Sequence, residues 1–502
     1  MIHAKIFHSK IKLIFSSLFF LAGTMAFSQT EEDFQQLTVP MDPAFTYISQ
    51  YERDTGLFSS SLTGTDLIKV GLDFSSCAAE TEAGQVVMGQ YNKLVQEVQS
   101  PQYQKMEAAE RGEAILRLIY RDVLKKYVKL ESSIDVMFQK GQYNCVSSTI
   151  LYVALAKEAG FETVIYKTKD HCFCAIKIED RLIEVETTNP YGFDPGTKKA
   201  LPAQKNSRSS WAVIPQKSYQ NKIIVSDRVL ASLVGGNIST LAMKNNDYRL
   251  AVPLSIARYE LTRKEETTGA QQVKEEFDVV TTNYVSHLQR MGRPKAALEW
   301  MDKAISKWEI SLIWQDCIDV VVHNSVVQYL NQAQVQEAQG IFEAWEQRLS
   351  ERAREEVALN LFIGSMDAGI TNLEPAEALA FLQTMEGDPM ASTVKGAAKL
   401  KENREYVWQR QIKVLVDQQK YLEAAAVARQ GVLSLGTSAT LSNLEKQCLN
   451  NHAIIVHNSY AALFNQQKYQ EALEVVQQGL MEVPGNRTLQ SDLKKVQQAM
   501  KQ

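Results

Sequence analysis

Cysteine is scarce in this chain, with six residues in a length of 502. Three of them are widely scattered, and the other three, Cys145, Cys172 and Cys174, fall within one short stretch. Small domains that rely on disulfides instead carry a dense cysteine framework. The spacing therefore excludes a disulfide-stapled fold, and it favours buried thiols together with one reactive cysteine.

Charge of one sign and long apolar runs are lacking as well. The 54 basic and 58 acidic residues nearly balance, and without a basic cluster nucleic-acid binding has no electrostatic footprint.

The main apolar run, residues 13–22, follows three lysines and precedes the small-x-small sequence Ala26-Phe27-Ser28. This pattern is typical of a cleaved bacterial signal peptide and is too short to span a bilayer. We therefore predict a signal peptide at 1–28, an exported protein that is periplasmic or secreted, and no transmembrane or lipid anchor after cleavage.

Apolar periodicity predicts the secondary structure that follows. Residues 29–104 are predicted to form a mostly helical extension. Helical spacing of apolar residues predicts helices from Lys105 to Lys129 and from Cys145 to Gly160. Three strands are then predicted, at 163–167, 171–178 and 182–186. Residues 105–225 are therefore expected to form an α+β domain.

The C-terminal half contains internal repeats. The sequence of residues 417–424 is echoed at 465–472, and weaker copies of the same turn align six alanines at spacings of 40 to 48 residues. The aligned alanines are Ala251, Ala297, Ala338, Ala378, Ala424 and Ala472. Such a period is typical of stacked helix pairs, because a small residue lets the second helix lie close to the first. Residues 226–502 are predicted to form an all-α helical-repeat superhelix that binds a protein partner.

The last two units resemble tetratricopeptide repeats. Tyr469, Ala472, Gly479 and Pro484 fall at the spacings of that family. The period here is longer than the roughly 34 residues usual for the family, which longer helices or loops would explain.

One cysteine stands where a nucleophile would. Cys145 opens a predicted helix, and unpaired N–H groups and the helix dipole favour the thiolate there. The next histidine is His171, and Glu186 follows fifteen residues later. Strand parity places His171 and Glu186 on the same face of the predicted sheet. This order predicts a catalytic Cys-His-Glu site in which His171 accepts the thiol proton and Glu186 orients the imidazole.

These segments resemble the transglutaminase-like superfamily over residues 105–217. The similar motifs are Asn144-Cys145 at a helix start, Lys169-Asp170-His171 entering a strand, and Val185-Glu186-Thr187-Thr188 on the next. The resemblance implies a papain-like core and cysteine-dependent acyl transfer on a protein or peptide amide, as a peptidase, an amidase or a transglutaminase. The departure is Glu186, where the family more usually has aspartate.

The resemblance also implies donors that stabilise an oxyanion. The Cys145 N–H is one candidate. Gln139 stands six residues before the cysteine, as the oxyanion glutamine does in papain-like proteases, and Gln142 or Tyr143 is the alternative.

Aromatic residues near the predicted site are candidates for lining a substrate cleft. The candidates are Tyr143 and, in the turn-rich loop after the third strand, Tyr191 and Phe193. An ordinary loop with its aromatics packed underneath is the alternative.

Neighbouring strand residues point to opposite faces, so the run from His171 to Cys174 does not form a metal site. No metal or cofactor is predicted.

Two further functions stay open beside the enzyme. One is a catalytically inactive envelope scaffold that works through its helical repeats. The other is a regulatory thiol sensor that uses Cys172 or Cys174 as the resolving partner of Cys145. Reactivity of the Cys145 thiol separates the enzyme from the scaffold, because a scaffold needs no depressed pKa.

Overall fold

A computed structural model describes residues 38–197 and 210–501 of the chain. The predicted signal peptide at 1–28 lies outside the described residues, as does the beginning of the predicted extension at 29–104. The fold is mainly helical, with a small sheet region. The chain divides between Ala270 and Gln271 into two compact units. The first unit thus includes two helices that we had assigned to a helical domain beginning at residue 226.

The first unit holds nine complete helices and six strands within its described part. The helices are α1 (Gln50–Thr55), α2 (Gly64–Phe74), α3 (Glu82–Val98), α4 (Pro101–Gln104), α5 (Ala108–Asp122), α6 (Ile134–Lys140), α7 (Cys145–Glu158), α8 (Asp227–Lys244) and α9 (Tyr248–Thr262). The strands are β1 (Lys126–Tyr127), β2 (Gln142–Tyr143), β3 (Thr163–Lys167), β4 (Cys172–Ile178), β5 (Arg181–Val185) and β6 (Ile223–Val225).

Helix α7 is the centre of this unit. Every residue from Val146 to Ala156 is buried. Helical spacing in the sequence predicts only one buried stripe, formed by Val146, Ile150, Val153, Ala154 and Leu155, so the buried surface is wider than predicted. A helix that is apolar on all sides must be covered on all sides. Helices α2, α3, α5 and α8 and strand β4 provide that cover. The segment before residue 105 therefore braces the core through α2 and α3.

The main sheet is antiparallel, with strand order β5-β4-β3-β6. Strand β3 has the predicted bounds, β4 begins one residue later than predicted, and β5 lies one residue closer to the N-terminus than predicted. One face of β4 packs on α7. The other face carries a small cluster in which Tyr166, Phe173 and Ala175 are buried and Tyr219 packs against them. Strands β1 and β2 form a separate parallel pair in which Tyr127 lies opposite Tyr143.

The second unit consists of helices that alternate between longer and shorter. Helix α10 (Thr268–Arg290) crosses the boundary between the units. The others are α11 (Pro294–Lys307), α12 (Leu312–Asn331), α13 (Val335–Trp345), α14 (Glu351–Thr371), α15 (Pro375–Thr384), α16 (Val394–Asp417), α17 (Tyr421–Leu435), α18 (Ala439–Asn465), α19 (Tyr469–Glu482) and α20 (Arg487–Ala499). From α12 onward each helix packs on the next, and α12, α14, α16, α18 and α20 also contact one another in succession. This is the contact pattern of stacked helix pairs.

The aligned alanines hold equivalent structural positions. Each is the fourth residue of the second helix in its pair, from α9 through α19, and each has no exposed surface. Two residues before five of these second helices, the backbone takes a left-handed φ, as it does at Gln419 and Gln467. A tight turn and a close helix contact therefore recur at the same place in the pairs. Among the described residues no helix is both long and apolar enough to cross a membrane.

Candidate active site

The helix that begins at Cys145 has a fully formed N-terminal cap. The Oδ1 atom of Asn144 accepts the N–H groups of Val146 and Ser147, at 2.9 and 3.2 Å. The Ser147 hydroxyl accepts the Asn144 N–H at 3.1 Å. This cap uses the second and third N–H groups of the helix and not that of Cys145 itself. The thiol thus stands at the positive end of a rigid, buried helix.

Strand register brings the histidine and the glutamate together. Strands β4 and β5 pair with Cys174 opposite Val185, so continued pairing places Phe173 opposite Glu186 and His171 diagonal to it on one face. The His171 Nε2–H donates to Oε2 of Glu186 at 2.8 Å, and both side chains are buried. Since Nε2 is engaged, Nδ1 is the ring nitrogen left for the Cys145 thiol, which contributes to the raised pKa of His171. The structure therefore joins His171 to Glu186 directly, and the electrostatics couple His171 to Cys145.

The Glu186 carboxylate is held on both oxygens. Oε1 accepts the backbone N–H and the hydroxyl of Thr188, at 2.9 and 2.7 Å. Oε2 accepts the Tyr219 hydroxyl in addition to His171. Burial alone would raise the pKa of Glu186, but the hydrogen bonds from His171, Tyr219 and Thr188 hold it below the usual range. A carboxylate that stays ionised in the interior can support a positive charge on the imidazole.

Electrostatics in the site favours an ion pair between sulfur and imidazole. Hydrogen bonding from the Cys172 thiol, followed by that from His171, outweighs burial and lowers the pKa of Cys145 to about 5. Burial would lower the pKa of His171, but Cys145 and Glu186 raise it to about 10. At neutral pH these values correspond to a thiolate and an imidazolium. The half-buried Cys145 is thus ionised while shielded from bulk water on most sides.

Hydroxyl groups join the strand ends to the helix that carries the cysteine. The Thr187 hydroxyl oxygen lies 2.9 Å from the hydroxyl oxygens of both Ser148 and Thr149. Ser148 in turn donates to the Asn144 carbonyl oxygen at 2.7 Å. All four residues are buried. Thr187 therefore fixes the distance between the Glu186 segment and the Cys145 helix, whereas Thr188 binds the carboxylate itself.

A glycine lets the following loop return to Glu186. The Glu186 N–H donates to the Gly192 carbonyl oxygen at 2.8 Å. A Cβ atom at Gly192 would lie 1.9 Å from the Glu186 carbonyl oxygen, so any other residue would force the two segments apart. This close approach explains why a glycine stands at this point of the loop.

Two of the three predicted cleft residues are buried. Tyr143 has no exposed surface, and its hydroxyl bonds Tyr120 and the Ser210 carbonyl oxygen at 2.9 Å each. Phe193 is buried, and its ring packs against Gly112 on α5. Apolar rings so close to the core gain more from burial than from facing solvent. Tyr191 is exposed and lies edge-on to Trp211, with ring centroids 6.1 Å apart.

The two glutamines proposed as oxyanion donors lie on different elements. Gln139 is exposed near the end of α6, and Gln142 is half-buried on β2. Gly141 between them has a left-handed φ of 65° and turns the chain from the helix into the strand. Their role at the oxyanion stays a prediction.

Sequence reasoning missed one neighbour of the site. Tyr219 comes from a short 3₁₀ turn (Gln216–Tyr219), 33 residues beyond its partner Glu186. Cys172, a candidate resolving partner in the sequence, donates its thiol hydrogen to the Cys145 carbonyl oxygen at 3.3 Å. Parity does place Cys172 on the strand face toward the helix, but sequence alone carries no signal for Tyr219. Across the described ranges no group of three or more His, Cys, Asp or Glu side chains is arranged to hold a metal ion.

Comparisons with known proteins give little further information. No protein-family model matches the chain, and no curated protein matches it. Among solved structures, the chain is similar to menin, in a crystal structure described as revealing the binding site for the Mixed Lineage Leukemia (MLL) protein. That similarity covers 79% of this chain and 93% of menin, at 12% identity and a TM-score of 0.26. A similarity this weak carries no argument about fold or function.

Proposed function

We propose that this chain is a cysteine-dependent acyl-transfer enzyme acting on a protein or peptide amide. The observation that carries the proposal is the buried hydrogen bond between His171 and Glu186, together with the lowering of the Cys145 pKa by His171. A structural cysteine has no need of an ionised neighbour, and burial by itself would keep its thiol protonated. The contacts around Cys145 instead lower its pKa, as a nucleophile requires.

The proposed reaction has two stages. The Cys145 thiolate attacks the amide carbonyl carbon, and the tetrahedral intermediate collapses as the His171 imidazolium gives its proton to the leaving amine. The product is a thioester on Cys145. In the second stage His171 accepts a proton from the incoming water or amine, which then displaces the thiol. Glu186 keeps the ring oriented and stabilises its positive charge.

The developing oxyanion needs a donor that already points at it. The Cys145 N–H suits this role, because the Asn144 side chain caps the two N–H groups that follow and not this one. Gln139 or Gln142 is proposed as the second donor.

The proposed architecture is a transglutaminase-like domain with a papain-like core, followed by tetratricopeptide-like repeats. A central buried helix that begins at the cysteine and packs on an antiparallel sheet supports the first part. The buried alanines at one position of successive helix pairs support the second. We propose that the repeats bind the protein that carries the substrate, and that this occurs outside the cytoplasm, as the N-terminal sequence predicts.

The proposal is tested by the pH dependence of iodoacetamide labelling at Cys145, followed by mass spectrometry. We expect rapid labelling well below pH 8 in the wild type, and a shift to higher pH in His171→Ala. His287→Ala is the matched control, because that histidine lies in the second unit. Labelling of Cys145 only above pH 8 in both proteins would contradict an ion-paired nucleophile.

Hydrolysis and transfer are separated by the acyl acceptor. A protein mixture is incubated with the wild type or with Cys145→Ala, in the presence of a fluorescent primary amine. Incorporation of the amine that depends on Cys145 indicates a transglutaminase. New peptide termini or released ammonia without incorporation indicate a peptidase or an amidase.

A scaffold without catalysis is the second candidate function. The regular helix pairs of the second unit favour it, since stacked pairs offer extended surfaces for protein binding. Protein binding that survives Cys145→Ala, together with an unreactive thiol in the wild type, would support the scaffold over the enzyme.

A further inference from the structure

The Cys145 sulfur has a second thiol beside it. The Cys172 S–H donates to the Cys145 carbonyl oxygen at 3.3 Å, and the nearby Cys172 thiol lowers the pKa of the Cys145 thiol. Both cysteines are free thiols in the structure. In the acyl-transfer steps above only the Cys145 sulfur forms and breaks bonds, and the Cys172 sulfur takes part in none of them.

We propose that Cys145 and Cys172 form an intramolecular disulfide when a hydroperoxide reaches the site, which turns the nucleophile into a reversible oxidation site. The arrangement contains the two parts that such a site requires: an accessible thiolate and a resolving thiol next to it. Cys145 is half-buried and reachable by a small peroxide, whereas Cys172 is 1% exposed. Cys172 therefore cannot reach a thiol of another molecule, and Cys145 is its partner.

The chemistry balances without any other reactant. The Cys145 thiolate attacks one peroxide oxygen, so that an S–O bond forms and the O–O bond breaks. The departing hydroxide takes a proton from the His171 imidazolium and leaves as water, and the sulfur has lost two electrons to the peroxide. The Cys172 sulfur then attacks the sulfenic acid, an S–S bond forms, and the hydroxyl leaves with the Cys172 proton as a second water.

Cys174 shows why Cys172 is the resolving residue. It lies on the same face of β4, two residues further along the strand and away from the helix start. Its thiol faces the Val185 carbonyl oxygen at 3.9 Å, and burial raises its pKa. It is equally buried, so Cys174→Ser is a matched control for Cys172→Ser.

The experiment treats the full chain with hydrogen peroxide, blocks the remaining thiols, and maps the peptides without reduction. We expect the wild type to lose about 2 Da and to yield one linked peptide that joins Cys145 to Cys172. Dithiothreitol should restore iodoacetamide labelling of Cys145. Cys174→Ser should behave in the same way. In Cys172→Ser, Cys145 should proceed to sulfinic acid, and the iodoacetamide labelling that dithiothreitol restores should be at least about tenfold lower than in the wild type.

Three results would overturn the disulfide. They are sulfinic acid on Cys145 with Cys172 still free in the wild type, a link from Cys145 to Cys174, and no reaction of Cys145 with peroxide. The wild-type peptide map decides the question even if Cys172→Ser does not fold. The inference needs the ionised Cys145 but no acyl substrate, so a failed substrate screen leaves it standing.

Discussion

The Tyr219 hydroxyl donates to Oε2 of Glu186, the same oxygen that accepts the Nε2–H of His171. The Tyr219 ring also lies edge-on to the imidazole, with centroids 5.4 Å apart. The carboxylate is thus held from a segment that lies outside the strands carrying the histidine and the glutamate. One tyrosine supports both the charge on Glu186 and the orientation of the ring.

Replacing Tyr219 by phenylalanine removes that hydrogen bond and keeps the ring. Because a hydrogen bond to a charged group contributes about 1.5–3 kcal/mol, we expect the free energy of unfolding to fall by about that amount at pH 7. Urea unfolding measures the change. Tyr166→Phe, in the same cluster, should cost clearly less, and equal losses in the two variants would contradict the role of the Tyr219 hydroxyl.

Glu186→Gln removes the negative charge that supports the imidazolium. The pKa of His171 should fall, and the pKa of the Cys145 thiol should rise as its counterion weakens. We expect the rate of iodoacetamide labelling at pH 6 to drop about tenfold, which corresponds to a rise of about two units in the Cys145 pKa from its value of about 5. Glu184→Gln, two residues away and largely outside the site, should leave the rate unchanged. A rate in Glu186→Gln equal to that of the wild type would exclude the ion-pair network.

Stability should depend on pH through the sulfur–imidazole pair. The Cys145 pKa is lowered on folding from 9.0 to about 5, so its contribution is complete above pH 9 and is lost as the pH falls toward 5. The His171 pKa is raised from 6.5 to about 10, so its contribution is complete below pH 6.5 and is lost as the pH rises toward 10. Between pH 6.5 and 9 the Cys145 contribution rises with pH while the His171 contribution falls, so the two changes in the free energy of unfolding cancel.

The measurement is the unfolding free energy of the wild type minus that of Cys145→Ala, from pH 5 to 10. Cys145→Ala keeps the part of the His171 shift that Glu186 causes, so we expect this difference to rise from about pH 5 to beyond pH 6.5 and to fall above about pH 9. Cys174→Ser is the control. It leaves Cys145 and His171 in place, so it should change the unfolding free energy but keep the pH dependence of the wild type. A flat difference across the range would show that no ion pair forms.

Gly192→Ala tests the close approach of the loop to Glu186. The added methyl group would meet the Glu186 carbonyl oxygen, so the segment that carries the carboxylate has to move. We expect a loss of stability of about 1–3 kcal/mol and slower labelling of Cys145 at pH 6. Gly196→Ala, in the same loop and with no atom within 4 Å of the new Cβ, should do neither. Equal behaviour of the two variants would show that the approach is unimportant.

Ala424→Leu tests the helix-pair contact. Ala424 has no exposed surface, and a larger side chain there must push α17 from its neighbours at a cost of about 1–3 kcal/mol. Ala426 is exposed on the same helix, so Ala426→Leu should stay within about 0.5 kcal/mol of the wild type. Thermal unfolding of the full chain measures both variants. A tolerated leucine at 424 would mean that the repeated alanines are not packing positions.

The repeated turns and the strands were predictable because their signals are local. Strand β3 follows from alternation over five residues, and the position of Ala472 follows from a motif that recurs 48 residues apart. The all-round burial of α7 was only partly predictable, since periodicity shows which residues are apolar and not how many neighbours will cover them.

The buried aromatic residues Tyr143 and Phe193 show the limit of local reasoning. Tyr143 is a cleft candidate in the sequence, yet its hydroxyl has three hydrogen-bond partners in distant segments of the interior. Phe193 was placed in a cleft because its loop leaves the strand near Glu186. In the structure the Phe193 ring instead packs against α5 at Gly112, where the absence of a side chain leaves room for it.

The sequence alone determined which residues we propose for the chemistry and predicted on which strand faces they stand. The order of Cys145, His171 and Glu186 is read directly from the sequence. The helix start and the strand parity follow from local patterns along the chain. Tertiary structure decided the register that joins His171 to Glu186, the arrival of Tyr219 and the contact of Cys172 with Cys145. These contacts join segments up to 33 residues apart, and their geometry depends on how a whole core packs around α7 rather than on any pattern along the chain.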